Sequence, residues 1–274
     1  MRITSLAENL VYSSRLRGEH GLSLLVETDD GSRLLVDTGL GYALCHNMEA
    51  LGIQADSVDA VCLTHGHYDH TGGLEGFLQL RSVPVPVYAR REMFCERYSR
   101  NGSELKQIGI PGTAAGYEKL GADFRWSDSV SNLGGITIMA GITAGREKAR
   151  FDNRLMIMKN GSIVADDFDD ELTYIFDTRK GAVIVTGCAH NGISEIVESA
   201  ADVLKSDSIY AVVGGAHLSH ASVSYIDRTI EVFRQYDVER ICLNHCTGFD
   251  AAARLKAVFG ERFTYLWSGR SIEL

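Results

Sequence analysis

Thr64-His65-Gly66-His67-Tyr68-Asp69-His70-Thr71-Gly72-Gly73 places three histidines and an aspartate within six residues, directly after the apolar run Val58 to Leu63. An apolar β-type run that ends in a dense set of nitrogen and oxygen donors describes a metal site at the C-terminal edge of a strand. Imidazole and carboxylate suit zinc, manganese or iron(II), and three or four such groups fill most of one coordination sphere. A polar turn that happens to be rich in histidine is the plain alternative. Nine histidines in 274 residues make one or two neighbours ordinary, but His-x-His-x-Asp-His at a strand end is not a chance pattern.

The rest of the chain bounds what such a site could serve. Nearly half the residues are apolar, prolines are few and no low-complexity tract occurs, so a folded chain with a buried core is expected. A formal charge of −9 argues against a nucleic-acid surface as the main business and leaves a small-molecule substrate as the expected partner. No run approaches a membrane span, and Met1-Arg2-Ile3 leads into a polar segment instead of a signal peptide, so a cytoplasmic, membrane-free protein is expected. The six cysteines form no Cys-x-x-Cys pair and read as reduced; only Cys188 and Cys246 stand beside other candidate ligands.

Taken in order, Ile3 to Leu6 reads as an edge strand. Leu22–Thr28 and Ser32–Thr38 flank Asp29-Asp30-Gly31 as a hairpin. Asp37 closes that hairpin at a strand end, where it is either a cap for the helix Tyr42–Leu51 or a metal ligand. A helix is expected over Leu74–Leu80, and Val83–Ala89 reads as a short strand whose prolines suggest an edge or an entry point. The segment 90–128 lacks periodicity and reads as an insertion serving as a lid, a specificity loop or an oligomer contact, with a homo-oligomer one of the outcomes.

From Ile136 the β character returns, with a hairpin around Asn160-Gly161 and an acidic patch from Asp166 to Glu171. Three strand–helix repeats follow. Ala182–Thr186 runs into Gly187-Cys188-Ala189-His190, Ile209–Val213 into Gly214-Gly215-Ala216-His217, and Arg240–Asn244 into His245-Cys246, with helices after each. Phe263–Gly269 closes the chain as an edge strand. Ligand-type residues at the carboxyl ends of successive strands converge along one sheet edge, where α/β proteins bind ligands. Hairpins first and strand–helix alternation later predict two mixed sheets with outer helices, an α/β (α+β) fold in a single domain over 1–274.

The stretch Thr64–Gly73, with Leu34-Leu35-Val36-Asp37-Thr38-Gly39 upstream, resembles the signature of the metallo-β-lactamase superfamily. The resemblance implies a four-layer αββα sandwich with a one- or two-metal site; it says little about substrate. Thr186 to Ile193, Gly214 to Leu218 and His245 to Gly248 resemble a subgroup of metal-dependent hydrolases. That subgroup includes the archaeal dihydropterin-6-methyl ribofuranosylaminobenzene 5′-phosphate synthases. Its pattern has an aromatic residue where Ala216 stands, a departure that bears on the pocket and not on the metals.

By this resemblance His65, His67 and a later histidine hold one divalent ion and Asp69, His70 and the last histidine a second; we choose His190 for the first role and His245 for the second, with zinc the first expectation and manganese or iron compatible. Asp69 would both ligate and orient the nucleophile, and His217 would face substrate. Many superfamily members end the corresponding strand in Gly-Asp, whose carboxylate bridges the metals; here it ends in Gly187-Cys188. Either His190 substitutes from a new position, with Cys188 or an acid nearby, or the site has reduced occupancy, and Cys188 is either an additional ligand or a buried thiol. Three readings follow: a metal-dependent hydrolase, a transferase or synthase joining a dihydropterin to a ribofuranosylaminobenzene phosphate, and a non-catalytic metal-binding module. Metal content and turnover separate them.

Overall fold

The computed structural model describes residues 1–143, 148–149 and 152–274. The chain divides into two compact units. One comprises residues 1–127, 152–170 and 267–273, the other 128–151, 171–266 and 274.

The first unit carries a seven-stranded mixed sheet in the spatial order Ser271–Glu273, Arg2–Ala7, Ser23–Glu27, Arg33–Val36, Ala60–Cys62, Val85–Ala89, Ala122–Trp126. The first three pairings are antiparallel and the last three parallel. Arg2–Ala7 is therefore interior, not the edge expected of it, and Val85–Ala89 is interior too, with Pro84 just before its first residue, the entry point and not the edge of the two expected alternatives. The edges are Ser271–Glu273 and Ala122–Trp126, elements too short or too polar to read from the sequence. The hairpin at 22–38 forms as expected. Val36 pairs with Cys62 in parallel, so Asp37 and Thr64 leave the sheet at the same edge.

A four-stranded antiparallel sheet joins Ser162–Ala165, Leu155–Lys159, Arg97–Asn101 and Glu104–Gln107. Its Asn160-Gly161 turn has φ of 52° and 78°, the left-handed geometry that such a two-residue hairpin needs. Half of this sheet comes from the segment 90–128, which also holds the helix Ala114–Lys119 and the strand Ala122–Trp126. That segment is regular structure, with strands polar enough to hide their alternation: Glu104–Gln107 is exposed throughout.

The second unit is a six-stranded sheet in the order Arg240–Asn244, Ala211–Gly215, Gly181–Thr186, Leu172–Thr178, Ile136–Ala140, Ser131–Leu133. The first three strands run parallel. Their apolar residues are buried at successive positions, such as Val183, Ile184 and Val185, as parallel strands covered on both faces require. The helix Ile193–Leu204 buries Ile193, Ile196, Val197 and Ala200, one stripe at helical spacing. Helices Val223–Gln235 and Phe249–Phe259 add Ile226, Ile230, Phe233 and Leu255 to the same core as Ile184, Val212 and Ile241. Phe263–Gly269 forms no strand; Phe263 makes a single bridge to Ile241. No helix among the described residues is long and apolar enough to cross a membrane.

Candidate metal centre

In the first unit the histidine cluster begins where Ala60–Cys62 ends. His67 leaves the strand direction and the chain turns into a short helix, Tyr68–Thr71. Asp37 organises this turn from the neighbouring strand end. Its carboxylate accepts the Thr64 N–H at 2.8 Å, the Thr64 hydroxyl at 2.7 Å and His70 Nδ1–H at 2.7 Å. Asp37 and His70 are fully buried, and an ionised carboxylate only accepts, so the His70 proton sits on Nδ1 and its lone pair on Nε2.

The same logic passes one residue further. The Thr64 hydroxyl gives its proton to Asp37, so at 3.0 Å from His65 Nδ1 it acts as acceptor, and the His65 lone pair also lies on Nε2. His65 Nε2 faces His67 Nδ1 at 3.1 Å. Two nitrogens about 2.0–2.1 Å from one tetrahedral ion lie roughly 3.3 Å apart, so this spacing fits ligands of a common metal. Asp69 Oδ2 lies 3.9 Å from His70 Nε2 and 3.3 Å from Nε2 of the exposed His20.

Asp37 does not cap the following helix, whose N-cap Ala43 makes no side-chain cap bond. Glu19 instead holds the turn that leads into it: its two oxygens accept the N–H groups of Leu40, Gly41, Tyr42 and Ala43 at 2.7–3.4 Å. Glu19→Ala would leave these donors without an acceptor and is expected to destabilise the chain by about 2–3 kcal/mol, read from urea unfolding; an unchanged midpoint would contradict this role.

Backbone on either side pins the turn. Thr38 N donates to His70 O at 2.7 Å, Tyr68 N to Ile108 O at 2.9 Å, and Gly66 N to Asp170 Oδ2 at 2.7 Å. Asp170 Oδ1 lies 2.8 Å from Arg97 Nη2, and Arg97 Nε donates to Asp166 at 2.8 Å. Burial alone would lower the Arg97 pKa, but Asp170 and Asp166 outweigh it and hold the guanidinium above its ordinary value. Burial also pushes the Asp170 carboxyl up, against the pull of Arg97. With the Gly66 N–H on one oxygen and the Arg97 guanidinium 2.8 Å from the other, we assign it as ionised.

In the second unit the register pairs Thr186 with Gly214 and Gly215 with Asn244. The residues that follow these strands therefore emerge along one edge, as expected. Sγ of Cys188 and ring nitrogens of His190 and His217 lie within 4.8 Å of one another, as do donor atoms of Cys188, His245 and Cys246. The His190 and His217 rings are 4.4 Å apart. Cys246 Sγ accepts the His217 N–H at 3.2 Å. Burial opposes its ionisation, but hydrogen bonds from Cys188 and His217 and the charges of His245 and His217 prevail, holding this thiol well below its ordinary range. The Glu171 carboxylate accepts the N–H groups of His190 at 2.6 Å and Asn191 at 2.8 Å.

Eight non-glycine residues have positive φ among the described residues, and Asp37, Ala189, His217 and His245 are four of them. Such backbone is costly for side-chain-bearing residues and concentrates at functional sites. Each unit therefore presents imidazole and carboxylate or thiol donors at strand ends, a donor set that fits zinc, manganese or iron(II). Sequence reasoning missed His20, Glu19, Thr64 and Arg97. His20 and Glu19 stand in a coil with no pattern, and Arg97 lies in a polar strand that gives no sign of complete burial.

Residues 16–146 match the family model of the metallo-beta-lactamase superfamily. The chain is 34% identical to the 7,8-dihydropterin-6-methyl-4-(β-D-ribofuranosyl)-aminobenzene-5′-phosphate synthase of Methanocaldococcus jannaschii, over all of this chain and 96% of that one. An uncharacterised protein of the same organism is 29% identical over 98% of this chain and 99% of its own length. Among solved structures, Tm1679, a metal-dependent hydrolase of the β-lactamase superfamily, superposes with a TM-score of 0.83 at 27% identity, covering 100% of this chain and 99% of that one. The donor-bearing strand ends and the full-length likeness agree, and the chain belongs to the metallo-β-lactamase superfamily.

Proposed function

We propose that the chain is a metal-dependent hydrolase that acts with an activated water on an ester, phosphoester or related small anionic substrate. The observation that carries this reading is His65 Nε2 facing His67 Nδ1 at 3.1 Å, with the His65 and His70 tautomers set through Thr64 and Asp37. We assign His65, His67, Asp69 and His70 in the first unit as ligands of divalent metal, zinc first, and His190, His245 and Cys188 in the second unit as further candidate donors. When bound, such ions lower the pKa of water toward about 7 and polarise a carbonyl or phosphoryl oxygen. Asp69 orients the nucleophile through its carboxylate, and His20, at 3.3 Å from it and open to solvent, can take a proton from that oxygen outward. His217 is assigned to the substrate.

A second reading is favoured by the 34% identity to a synthase over both whole chains. In it the same donors serve a transferase that joins a dihydropterin to a ribofuranosylaminobenzene 5′-phosphate. Metal-loaded protein assayed against phosphodiester, lactone and thioester substrates, and separately against that pterin and riboside, decides between them. Hydrolysis without condensation supports the first; condensation alone overturns it. His67→Ala is expected to strip metal by elemental analysis while circular dichroism stays that of the parent. Unchanged metal content would refute the ligand assignment.

A further inference from the structure

The acidic patch Asp166 to Glu171 has no ligand role in the proposal, yet two of its members reach the donor-bearing turns. Asp170 accepts the N–H of Gly66, the residue between His65 and His67, at 2.7 Å. Its other oxygen lies 2.8 Å from Arg97, which also donates to the carbonyls of Glu92, Met93 and Cys95 at 3.0–3.4 Å. Gly66 lies so close to this support that a Cβ there would stand 2.2 Å from Met93 O and 2.9 Å from Arg97 Nη1. In the second unit Glu171 accepts the N–H groups of His190 and Asn191, and the Asn191 side-chain amide at 2.7 Å. Asp170 is fully buried and Glu171 nearly so, and each accepts backbone N–H from a turn that carries a candidate ligand.

We propose that the neighbouring acids Asp170 and Glu171 are positioning residues for metal binding, Asp170 fixing the His65-Gly66-His67 turn and Glu171 the His190-Asn191 turn. The inference rests on the metal reading above. Asp170 is held between the Gly66 N–H and the Arg97 charge, and Glu171 accepts three N–H donors on its two oxygens, which makes the two acids supports for ligands instead of ligands. Charge-assisted bonds to backbone N–H groups are short and directional, and a donor displaced by more than about 0.5 Å no longer meets its ion. Partners that orient ligands in this way are worth about 10–100-fold in metal affinity.

Asp166 supplies an internal control, because it shares Arg97 with Asp170 but bonds Phe168 N–H and not a ligand turn. The test is zinc affinity by chelator competition and the visible spectrum of the cobalt-substituted protein, for the parent and for Asp170→Asn, Glu171→Gln and Asp166→Asn. The first two variants are expected to bind zinc about 10–100-fold more weakly and to shift the cobalt bands, with parental circular dichroism. Asp166→Asn is expected to lower the melting temperature and keep both metal readouts. If Asp170→Asn does not fold, Asp170→Glu keeps the charge beside Arg97 while moving the carboxylate, and the same loss of affinity is expected. Parental affinity and spectra in the Asp170 and Glu171 variants, or an equal loss in Asp166→Asn, would overturn the proposal. A parent that takes up no metal would overturn the metal reading itself, a distinguishable result.

Discussion

Asp37→Asn is expected to invert the tautomers of two histidines at once and to weaken metal binding by about 100-fold or more. In the parent the Asp37 carboxylate accepts three protons, from Thr64 N, Thr64 Oγ1 and His70 Nδ1. Asparagine can keep the Thr64 N–H with its carbonyl oxygen, but its amide nitrogen then points protons at Thr64 Oγ1 and His70 Nδ1. His70 can accept only by moving its own proton to Nε2, and the Thr64 hydroxyl turns its proton toward His65 Nδ1 with the same result. Both Nε2 atoms lose the lone pair that a metal needs. One lost orienting partner is worth about 10–100-fold in affinity, and two histidines depend on this one. Nitrogen NMR of the metal-free protein should show Nδ1–H imidazoles at His65 and His70 in the parent and Nε2–H in the variant. Chelator competition should show the affinity loss. Unchanged tautomers with unchanged affinity would remove Asp37 from this role.

The asymmetry in what the sequence disclosed has a physical origin. The candidate ligands were legible because metal chemistry demands a few residue types at close spacing, and His65 to His70 offers them locally. The parallel strands Gly181–Thr186, Ala211–Gly215 and Arg240–Asn244 were legible because burial on both faces writes continuous apolar runs, and their helices because one stripe is apolar. Hydrogen bonds that span the chain leave no such trace. Glu19 sits beneath residues 40–43, Asp170 beneath Gly66, and Arg97 beneath both Asp166 and Asp170, at separations that no local pattern encodes. Asp37 was read as a cap or a ligand because an acid at a strand end has the same one-dimensional signature in either role. Only the position of the Thr64 hydroxyl distinguishes them. Edge strands failed for a related reason: Glu104–Gln107 and Ser271–Glu273 carry too little apolar surface to declare themselves.

Arg97→Met is expected to cost about 3–5 kcal/mol, the loss that follows when one partner of a buried ion network is removed and the others stay behind. Arg97 is completely buried, and the side chains of Asp166 and Asp170 beside it are fully enclosed. Methionine fills much of the volume but supplies no donor, so two carboxylates face each other in a site from which water is excluded. Asp170, whose carboxyl burial already pushes up, would then lose the opposing pull of Arg97 and rise further. A carboxyl raised in the folded state binds its proton more tightly there than in the unfolded chain, so the folded state loses ground as pH rises. The deficit of Arg97→Met should therefore be largest at neutral pH and shrink as pH falls through the carboxylate range. Urea unfolding of parent and variant at pH 7 and pH 5 measures this directly. A deficit equal at both pH values would mean that the loss is one of packing alone. The triple variant Arg97→Met, Asp166→Asn, Asp170→Asn should recover much of the stability at pH 7, because it removes the stranded charges. It should not recover metal affinity, because an asparagine at 170 that accepts the Gly66 N–H has no Arg97 behind it to hold the His65-Gly66-His67 turn in place. That separation, stability restored while the metal site stays slack, identifies Arg97 as the base on which the ligand turn is built.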